Sequence, residues 1–235
     1  MIFTHPDLIC ACSKKPLNTS LVYGETIRSL NNRKAFLSGL GVNLDALVCA
    51  KQVHAANVHY AVEADKGSGA YSYDSAIVET DALITDRKNI ALAIFTADCL
   101  SIFLYDPLNK CIGIIHAGWK STRERIAAKT VERLKNEFNS KPQNILAGFG
   151  PSLKSCCYEV GKEFNGYFSS GVIKREGKFY CDLAAINRKE LLDAGLRQEN
   201  ITESGICTAC RNDEYFSFRK EKESCGRMMS VIMIR

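Results

Sequence analysis

The chain contains 235 residues, of which 46% are hydrophobic and 24% charged, with only 16 glycines and 5 prolines. This composition excludes disordered, collagenous and low-complexity proteins and is typical of a globular protein with a sizeable core. The formal charge of +5 is mild and the basic residues alternate with acidic ones, so we expect no nucleic-acid partner.

Membrane association is not expected either. The longest uninterrupted apolar run, residues 90–95, is far shorter than the roughly 20 residues that a membrane-spanning helix requires. The first residues lack the basic and apolar regions of a secretory signal. Eleven cysteines, an odd number, therefore indicate thiols in a reducing cytoplasm, some of them metal ligands. Nothing in the sequence specifies an oligomeric state.

The first third of the chain predicts four strands, one helix and a long loop. Short apolar runs indicate the strands, and apolar residues at helical spacing indicate the helix. A stretch rich in Gly, Ser, Asp and Tyr marks the loop. The ranges are strands at residues 7–12, 19–23, 47–54 and 57–62, a helix at residues 25–38 and the loop at residues 63–75.

The middle of the chain carries the strongest pattern. Four runs rich in Ile, Leu, Val and Phe are continuous enough to be strands that are covered on both faces, and we expect them to form the core sheet. They occupy residues 76–84, 90–95, 100–105 and 111–115. An amphipathic helix of about four turns follows up to Phe138, with Ser121 and Glu124 at capping-box spacing.

The last third predicts further strands and helices in irregular alternation. Strands are expected at residues 144–149, 179–181 and 228–234, and helices at residues 158–168 and 182–192. The irregular order favours the α+β class with mixed sheets over a regular βαβ alternation. The chain has no internal repeat and no break in composition, which predicts one domain over residues 1–235.

Three potential zinc ligands stand at the ends of predicted strands, where catalytic groups commonly collect. They are His54, Cys99 and His116. One thiolate and two imidazoles leave a fourth zinc position for water, as in catalytic sites, and zinc lowers the pKa of that water to near 7. Asp98, next to Cys99, is a candidate to orient a histidine or to carry a proton.

The spacing of these residues is not a recognised zinc motif, but a series of short motifs adds to it. They occur in the order Lys51-Gln52-Val53-His54, Thr80-Asp81-Ala82-Leu83-Ile84-Thr85, Thr96-Ala97-Asp98-Cys99, His116-Ala117-Gly118-Trp119, Gly150-Pro151-Ser152, Cys157-Tyr158-Glu159-Val160-Gly161, Cys207-Thr208, Phe216-Ser217-Phe218-Arg219 and Gly226-Arg227. As an ordered set from about residue 7 to the C-terminus, they resemble the polyphenol oxidase or laccase-domain family, also known as bacterial YfiH-like purine nucleoside phosphorylases with adenosine deaminase activity.

The resemblance implies a single-domain, four-layer α/β/β/α fold. It also implies a metal ion, usually zinc and sometimes reported as copper, held by His54, Cys99 and His116. The activities implied are phosphorolysis of adenosine, inosine, guanosine and methylthioadenosine, and hydrolytic deamination of adenosine to inosine. The expected partners are therefore purine nucleosides and phosphate.

The same resemblance suggests roles for other residues. Asp98 is the candidate acid and base for deamination. Arg219 and Arg227 lie in family motifs and are candidates to hold phosphate, although either side chain equally suits a structural salt bridge. Gln52 is a further candidate substrate contact, and Trp119 either stacks on a purine or covers the core.

The sequence departs from the family pattern in two places. Many members have an arginine and glycines near the N-terminus, where this chain has Lys14 and Lys15, and a lysine cannot reproduce the planar fork of an arginine. Ser121 replaces a common glycine, which either narrows the pocket or improves the helix cap.

The remaining cysteine motifs are interpreted as structural thiols. Cys207 and Cys210 form a Cys-x-x-Cys, but no second such motif completes a zinc ribbon and no thioredoxin-like pattern surrounds it. The vicinal pair Cys156 and Cys157 disfavours mutual bridging.

Other function classes stay open at this point. One is a cysteine-type amide hydrolase, acting for example on peptidoglycan, with Cys99 as nucleophile and His116 as base. Another is a non-enzymatic metal-binding module. A phenol-oxidising copper protein is the weakest alternative, because four histidines in total cannot hold several clustered coppers.

Overall fold

The structure is a computed structural model that describes residues 5–235, so residues 1–4 of the predicted domain lie outside the described residues. The strands, numbered β1 to β13, are Leu8–Cys12, Leu47–Cys49, Val58–Tyr60, Ala82–Thr85, Ala91–Thr96, Leu100–Asp106, Cys111–Ala117, Leu146–Phe149, Glu159–Val160, Val172–Arg175, Lys178–Cys181, Ile201–Glu203 and Met228–Ile234. The α-helices, numbered α1 to α6, are Thr26–Ser38, Trp119–Arg123, Ile126–Phe138, Phe164–Tyr167, Leu183–Asp193 and Phe218–Glu221.

Two mixed sheets form the centre of the fold. The smaller has the order β1-β13-β5-β2, and the larger has the order β12-β8-β6-β7-β4-β3. In the smaller sheet only β2 and β5 run parallel, and in the larger sheet the edge pairs β3/β4 and β8/β12 do. A separate three-stranded sheet, β10-β11-β9, lies beside them.

Alternation along the strands explains why the two sheets stack. In β6, Phe103 and Tyr105 point into an apolar cluster shared with β5 and β13, whereas Ile102 and Leu104 join a cluster with α3 and α5. Each of these four side chains is fully buried. Strands with both faces apolar must be covered on both sides, and the second sheet and the helices provide the two covers.

The helices supply the outer layers. α3 buries Ile126, Val131 and Leu134 against the larger sheet, whereas α1 places Leu37 in a cluster with the outer face of the smaller one. The layers therefore follow the order α/β/β/α, and the predicted α+β class with mixed sheets is confirmed.

Several predicted strands are wrong in extent. Residues 19–23 form an irregular bend, and of residues 76–84 only the end belongs to β4. The strand predicted at residues 47–54 stops at Cys49. The backbone N–H groups of residues 53–55 instead donate to the side chain of Asp81, which leaves them no strand partner.

Two predicted helices also differ. The long helix is divided into α2 and α3 by Arg125, whose φ of 62° is left-handed. Ser121 lies inside α2 and its hydroxyl accepts from the N–H of Gly118, so the predicted capping box with Glu124 does not form. Residues 158–168 form strand β9 and the short helix α4 instead of one helix.

Among residues 5–235, no helix combines the length and the apolar character needed to cross a membrane.

Candidate active site

The three predicted ligands meet at one end of the two stacked sheets. His54 lies in the connection from β2 to β3, and Cys99 in the turn from β5 to β6. Both connections pass from the smaller sheet to the larger one. His116 lies in β7 and pairs with Ser101 of β6, two residues after Cys99. The topology therefore brings together residues that are far apart in sequence.

The donor atoms of these residues are close enough to share one ion. One side-chain donor atom from each of His54, Cys99 and His116 lies within 4.8 Å of the others. Cys99 Sγ is 3.9 Å from His54 Nε2. The two imidazole rings meet edge to face, with centroids 4.7 Å apart and an interplanar angle of 74°. The arrangement presents one sulfur and two ring nitrogens to a common point.

Asp81 holds both histidines in position through hydrogen bonds. Its side chain is fully buried, and one carboxylate oxygen lies 2.7 Å from His116 Nδ1. A carboxylate at Nδ1 holds the proton on that nitrogen and leaves Nε2 as the ligand atom. The same carboxylate accepts the N–H of His54 at 3.0 Å. Asp98 does not orient a histidine as predicted, because Asp81 already occupies that position.

Cys99 and His116 shift each other's pKa. Burial by itself raises the pKa of Cys99, but the charge and hydrogen bonding of His116 and His54 outweigh burial and lower it to about 6. Burial lowers the pKa of His116, whereas Cys99 and Asp81 raise it, to a net value of about 9. Each group therefore stabilises the charged form of the other, as expected for a thiolate beside an imidazolium.

The backbone around the site is held in unusual conformations. His54 and Asp98 have φ values of 62° and 87°, in the left-handed region that non-glycine residues rarely adopt. Gly118 makes room for the group: a Cβ built on it would lie 2.8 Å from His54 Cδ2 and 3.3 Å from Cys99 Sγ. Strained residues of this kind persist where the surrounding contacts fix them, often at functional sites.

Asp98 is itself held by the C-terminal part of the chain. One carboxylate oxygen accepts the hydroxyl of Thr208 at 2.6 Å, and the other accepts the backbone N–H of Arg219 at 2.6 Å. Its backbone carbonyl accepts the N–H of Leu153 at 2.8 Å. Asp98 thus links the turn that contains Cys99 to the other parts of the chain that contain Leu153, Thr208 and Arg219.

A cavity of about 500 Å³ opens beside the three ligands. Its lining includes His54, Cys99, His116 and Asp98, together with aromatic side chains from several loops. A cavity of this size that combines apolar walls with a few convergent polar groups is typical of a small-molecule site.

Both predicted phosphate-binding arginines line this cavity. Arg219 donates from Nη2 to the carbonyl of Glu159 at 3.0 Å and lies over the ring of Tyr158. Arg227 donates from Nη1 to the carbonyls that precede it and lies 3.9 Å over the ring of Tyr23. Among residues 5–235 neither forms the structural salt bridge that was the alternative, so each guanidinium keeps N–H groups for a ligand.

Gln52 and Trp119 also line the cavity, but their contacts are internal. The amide of Gln52 exchanges two hydrogen bonds with the backbone of Phe95, at 2.7 and 2.9 Å. It therefore ties the His54 loop to β5. Trp119 stacks on Tyr167, with centroids 5.6 Å apart, and this contact favours the covering role over the purine-stacking one.

The N-terminal lysines lie elsewhere. Lys14 pairs with Glu214 and Lys15 with Glu221, at 2.6 and 2.7 Å, and neither lines the cavity. The arginine that does line it near this region is Arg33, whose guanidinium is buried on backbone carbonyls.

Sequence reasoning missed the roles of Asp81, Thr208 and Tyr158. Asp81 and Thr208 lie within the quoted motifs, and an acidic residue directly before a buried strand was a usable signal for Asp81. Tyr158 was assigned to a helix, whereas it lines the cavity beside Arg219.

The chain is similar to known proteins over most of its length. Residues 13–235 match the family described as multi-copper polyphenol oxidoreductase laccase. The purine nucleoside phosphorylase YlmD of Bacillus subtilis (strain 168) is 33% identical over 232 residues, which cover 94% of this chain and 84% of that protein. Adenosine deaminase RL5, from an unknown prokaryotic organism, is 33% identical over 88% of this chain and 82% of its own length.

Solved structures are similar over almost the whole chain. YlmD from Geobacillus stearothermophilus has a TM-score of 0.94 at 28% identity, covering 98% of this chain and 93% of its own. The Bacillus licheniformis hypothetical protein YfiH has a TM-score of 0.91 at 33% identity, covering 97% and 93%. With nearly full coverage by the family and by relatives above 30% identity, the chain belongs to the multi-copper polyphenol oxidoreductase laccase family, the laccase-domain family that its motifs resemble.

Proposed function

We propose that this protein is a zinc-dependent purine nucleoside enzyme of the cytoplasm. It would cleave adenosine, inosine, guanosine and methylthioadenosine with phosphate, and would deaminate adenosine to inosine with water. The observation that carries the proposal is the convergence of His54, Cys99 and His116 on one wall of the 500 Å³ cavity. The names of the relatives, purine nucleoside phosphorylase and adenosine deaminase, support the substrate class.

The donor set suits a single zinc ion. One thiolate and two imidazoles are common zinc ligands, and three protein ligands leave a position that faces the cavity. The clearance at Gly118 and the carboxylate at His116 Nδ1 are features of a preformed metal site. The other two histidines lie apart from it: His59 bonds to Asp65, and His5 packs on Tyr105. The candidate site therefore has too few imidazole ligands to hold a cluster of several copper ions.

The chain's own groups suit hydrolytic deamination. When bound, zinc supplies Lewis acidity and activates water at neutral pH. His116 keeps its ligand nitrogen turned toward the cavity because Asp81 holds the other one. Asp98 lines the cavity next to Cys99, and we retain it as the candidate that carries a proton from the attacking water to the departing ammonia.

Phosphorolysis requires a bound anion next to the ribose. Arg219 and Arg227 are the cationic side chains that we assign to phosphate, because both line the cavity and both keep free guanidinium N–H groups. Their stacking on Tyr158 and Tyr23 holds the planar groups in place, which lowers the entropy lost on binding.

The decisive experiment is incubation of the purified protein with adenosine, with and without phosphate, while inosine, adenine and ribose 1-phosphate are resolved chromatographically. We expect inosine in both reactions and adenine with ribose 1-phosphate only when phosphate is present. Cys99→Ala should lose the metal ion of this site together with the activity, and Cys12→Ser, a cysteine outside the cavity, should keep both. Wild-type protein with a full complement of metal and no product of either kind would falsify the proposal.

The cysteine-hydrolase alternative is separated by chelation. The lowered pKa of Cys99 is also what a nucleophilic cysteine needs, so this reading has its own structural support. A hydrolase with a Cys99 nucleophile would stay active without metal and would be inactivated by alkylation. The zinc enzyme would lose activity on chelation and regain it when zinc is added back.

A further inference from the structure

A second group of thiols lies outside the candidate active site. Cys156, Cys157, Cys207 and Cys210 come from two loops that are 50 residues apart, yet one sulfur from each lies within 4.8 Å of the other three. None of these four forms a disulfide. Sequence analysis treated the vicinal pair and the Cys-x-x-Cys motif separately, and the fold brings them into one cluster.

The separations match a tetrahedron around a metal ion. Cys210 Sγ lies 3.7 Å from Cys156 Sγ and 3.4 Å from Cys157 Sγ. Four sulfurs at the Zn–S distance of about 2.3 Å are separated from one another by about 3.8 Å. Thiols in this arrangement without a metal place four weak donors against each other, and metal coordination satisfies all four sulfurs at once.

The backbone around Cys207 is also arranged to favour a thiolate at that residue. The sulfur of Cys207 accepts backbone N–H groups from Lys154, Ala209 and Cys210. Such bonds stabilise negative charge on a ligand sulfur, as carboxylates do for a ligand histidine. Cys156 and Cys210 are exposed, so metal can enter from solvent, whereas Cys207 is buried beneath them.

We propose that Cys156, Cys157, Cys207 and Cys210 bind a second zinc ion at a closed, structural site. Four sulfur ligands leave no open position, and tetrahedral sulfur coordination suits zinc. This site is independent of the one formed by His54, Cys99 and His116, and the proposal does not depend on the enzymatic activity.

The site has a clear structural task. It joins the loop at residues 152–158 to the loop at residues 206–211, which also meet through an isolated bridge between Ser152 and Cys207, neighbouring backbone bonds and an apolar cluster that includes Leu153 and Ala209. These loops carry Leu153 and Thr208, the residues that hold Asp98. Zinc at the four thiols therefore fixes the support of the turn that carries Cys99.

Metal content tests the proposal directly. We expect two zinc ions per chain in the wild-type protein by mass spectrometry of the elements, one in Cys99→Ala, one in Cys210→Ser and none in the double variant. Cys12→Ser is the matched control and should keep two. Cys210→Ser should also unfold at a lower temperature than Cys12→Ser, because it loses the link between the two loops.

Cobalt substitution provides a readout that needs no destabilising change. After removal of zinc and loading with Co²⁺, Cys99→Ala should show the intense thiolate-to-cobalt and tetrahedral bands of a four-sulfur site, and the double variant Cys99→Ala/Cys210→Ser should lose them. The proposal is overturned if Cys210→Ser keeps as much zinc as wild type, if iron occupies the site, or if thiol counting shows a Cys157–Cys210 disulfide in place of metal.

Discussion

Asp81 shows how one side chain determines the geometry of the candidate metal centre. Its carboxylate accepts hydrogen bonds from the backbone N–H groups of Val53, His54 and Ala55 and faces Nδ1 of His116. It therefore fixes both the loop that carries one imidazole and the ring orientation of the other. Neither histidine would be preorganised for an ion without it.

Asp81→Asn should weaken metal binding while the protein stays folded. An amide cannot hold His116 through a charged hydrogen bond, and changes of this kind lower metal affinity by about 10–100-fold. Zinc affinity can be measured by competition with a chromogenic chelator. The control is Asp86→Asn, since Asp86 bonds only Tyr60 and Arg87 at the end of β4. Equal affinities of the two variants would contradict the assigned role of Asp81.

Alkylation of Cys99 in metal-free protein should have an unusually acidic midpoint. The pKa of Cys99 is lowered from 9.0 to about 6, so the reactive thiolate is present at pH 7 and is lost only as the pH falls through 6. Burial raises the pKa of Cys12 to about 11, which makes Cys12 an internal control that should stay unmodified at pH 7. Peptide mass spectrometry after iodoacetamide treatment measures both. A midpoint near 9 for Cys99, or no protection by added zinc, would count against the site.

The candidate ligands lie at the ends of strands or in the loops that follow them, so the strands determine their positions. β2, β5 and β7 end at the same side of the molecule, and the connections after β2 and β5 cross to the other sheet. Helix α2 follows β7 immediately and begins beside the two ligands His54 and Cys99. Gly118 directly precedes that helix. The loops that carry His54 and Cys99 therefore leave no room for a side chain at position 118.

Gly118→Ala should disrupt the centre without unfolding the chain. Its φ of −79° suits alanine, but the added Cβ would lie 2.8 Å from the His54 ring. The ring must move, and we expect at least about a tenfold loss of metal affinity and of kcat/KM, in line with the sensitivity of metal sites to ligand placement. Gly166→Ala is the matched control, because its Cβ meets no atom within 4 Å. Unchanged affinity in Gly118→Ala would show that the loop adapts freely.

Element prediction from the sequence was best where periodicity was strong. β13 was found with accurate bounds because it is a continuous apolar run. The bounds of α1 were also predicted within a residue, although its buried face is formed by Ser29, Arg33 and Leu37 and the apolar Ile27 is exposed. Short strands such as β10 and β12 were missed, and the helix at residues 158–168 was wrong. These segments are stabilised by tertiary contacts, and local propensity does not encode them.

The whole molecule depends on the contact between its two sheets. Phe103 of β6 is fully buried in the cluster between them, together with Ile94 of β5 and Ile232 of β13. All three ligand-bearing segments start from these sheets. The rigidity of the candidate metal centre therefore depends on this interface as well as on local bonds.

Phe103→Ala should destabilise the whole fold. Truncation of a fully buried phenylalanine leaves a cavity between the sheets, and such changes cost about 3–5 kcal/mol of unfolding free energy. Urea denaturation followed by circular dichroism measures the loss. Leu108→Ala is the control, since Leu108 is 71% exposed, and it should change stability by less than about 0.5 kcal/mol. A loss below about 1 kcal/mol in Phe103→Ala would contradict the proposed core.

The sequence by itself determined the class of fold, and its motifs indicated the family and the candidate ligands His54, Cys99 and His116. It could do so because apolar periodicity and residue chemistry are local properties of the chain. The tertiary structure decided which groups meet. The pairing of β4 with β7 brings Asp81 under His116, and the pairing of β8 with β12 brings together the two loops that carry the four cysteines. The turn after β5 places Asp98 beside Thr208. Each of these contacts joins segments whose separation along the chain carries no signal of their proximity.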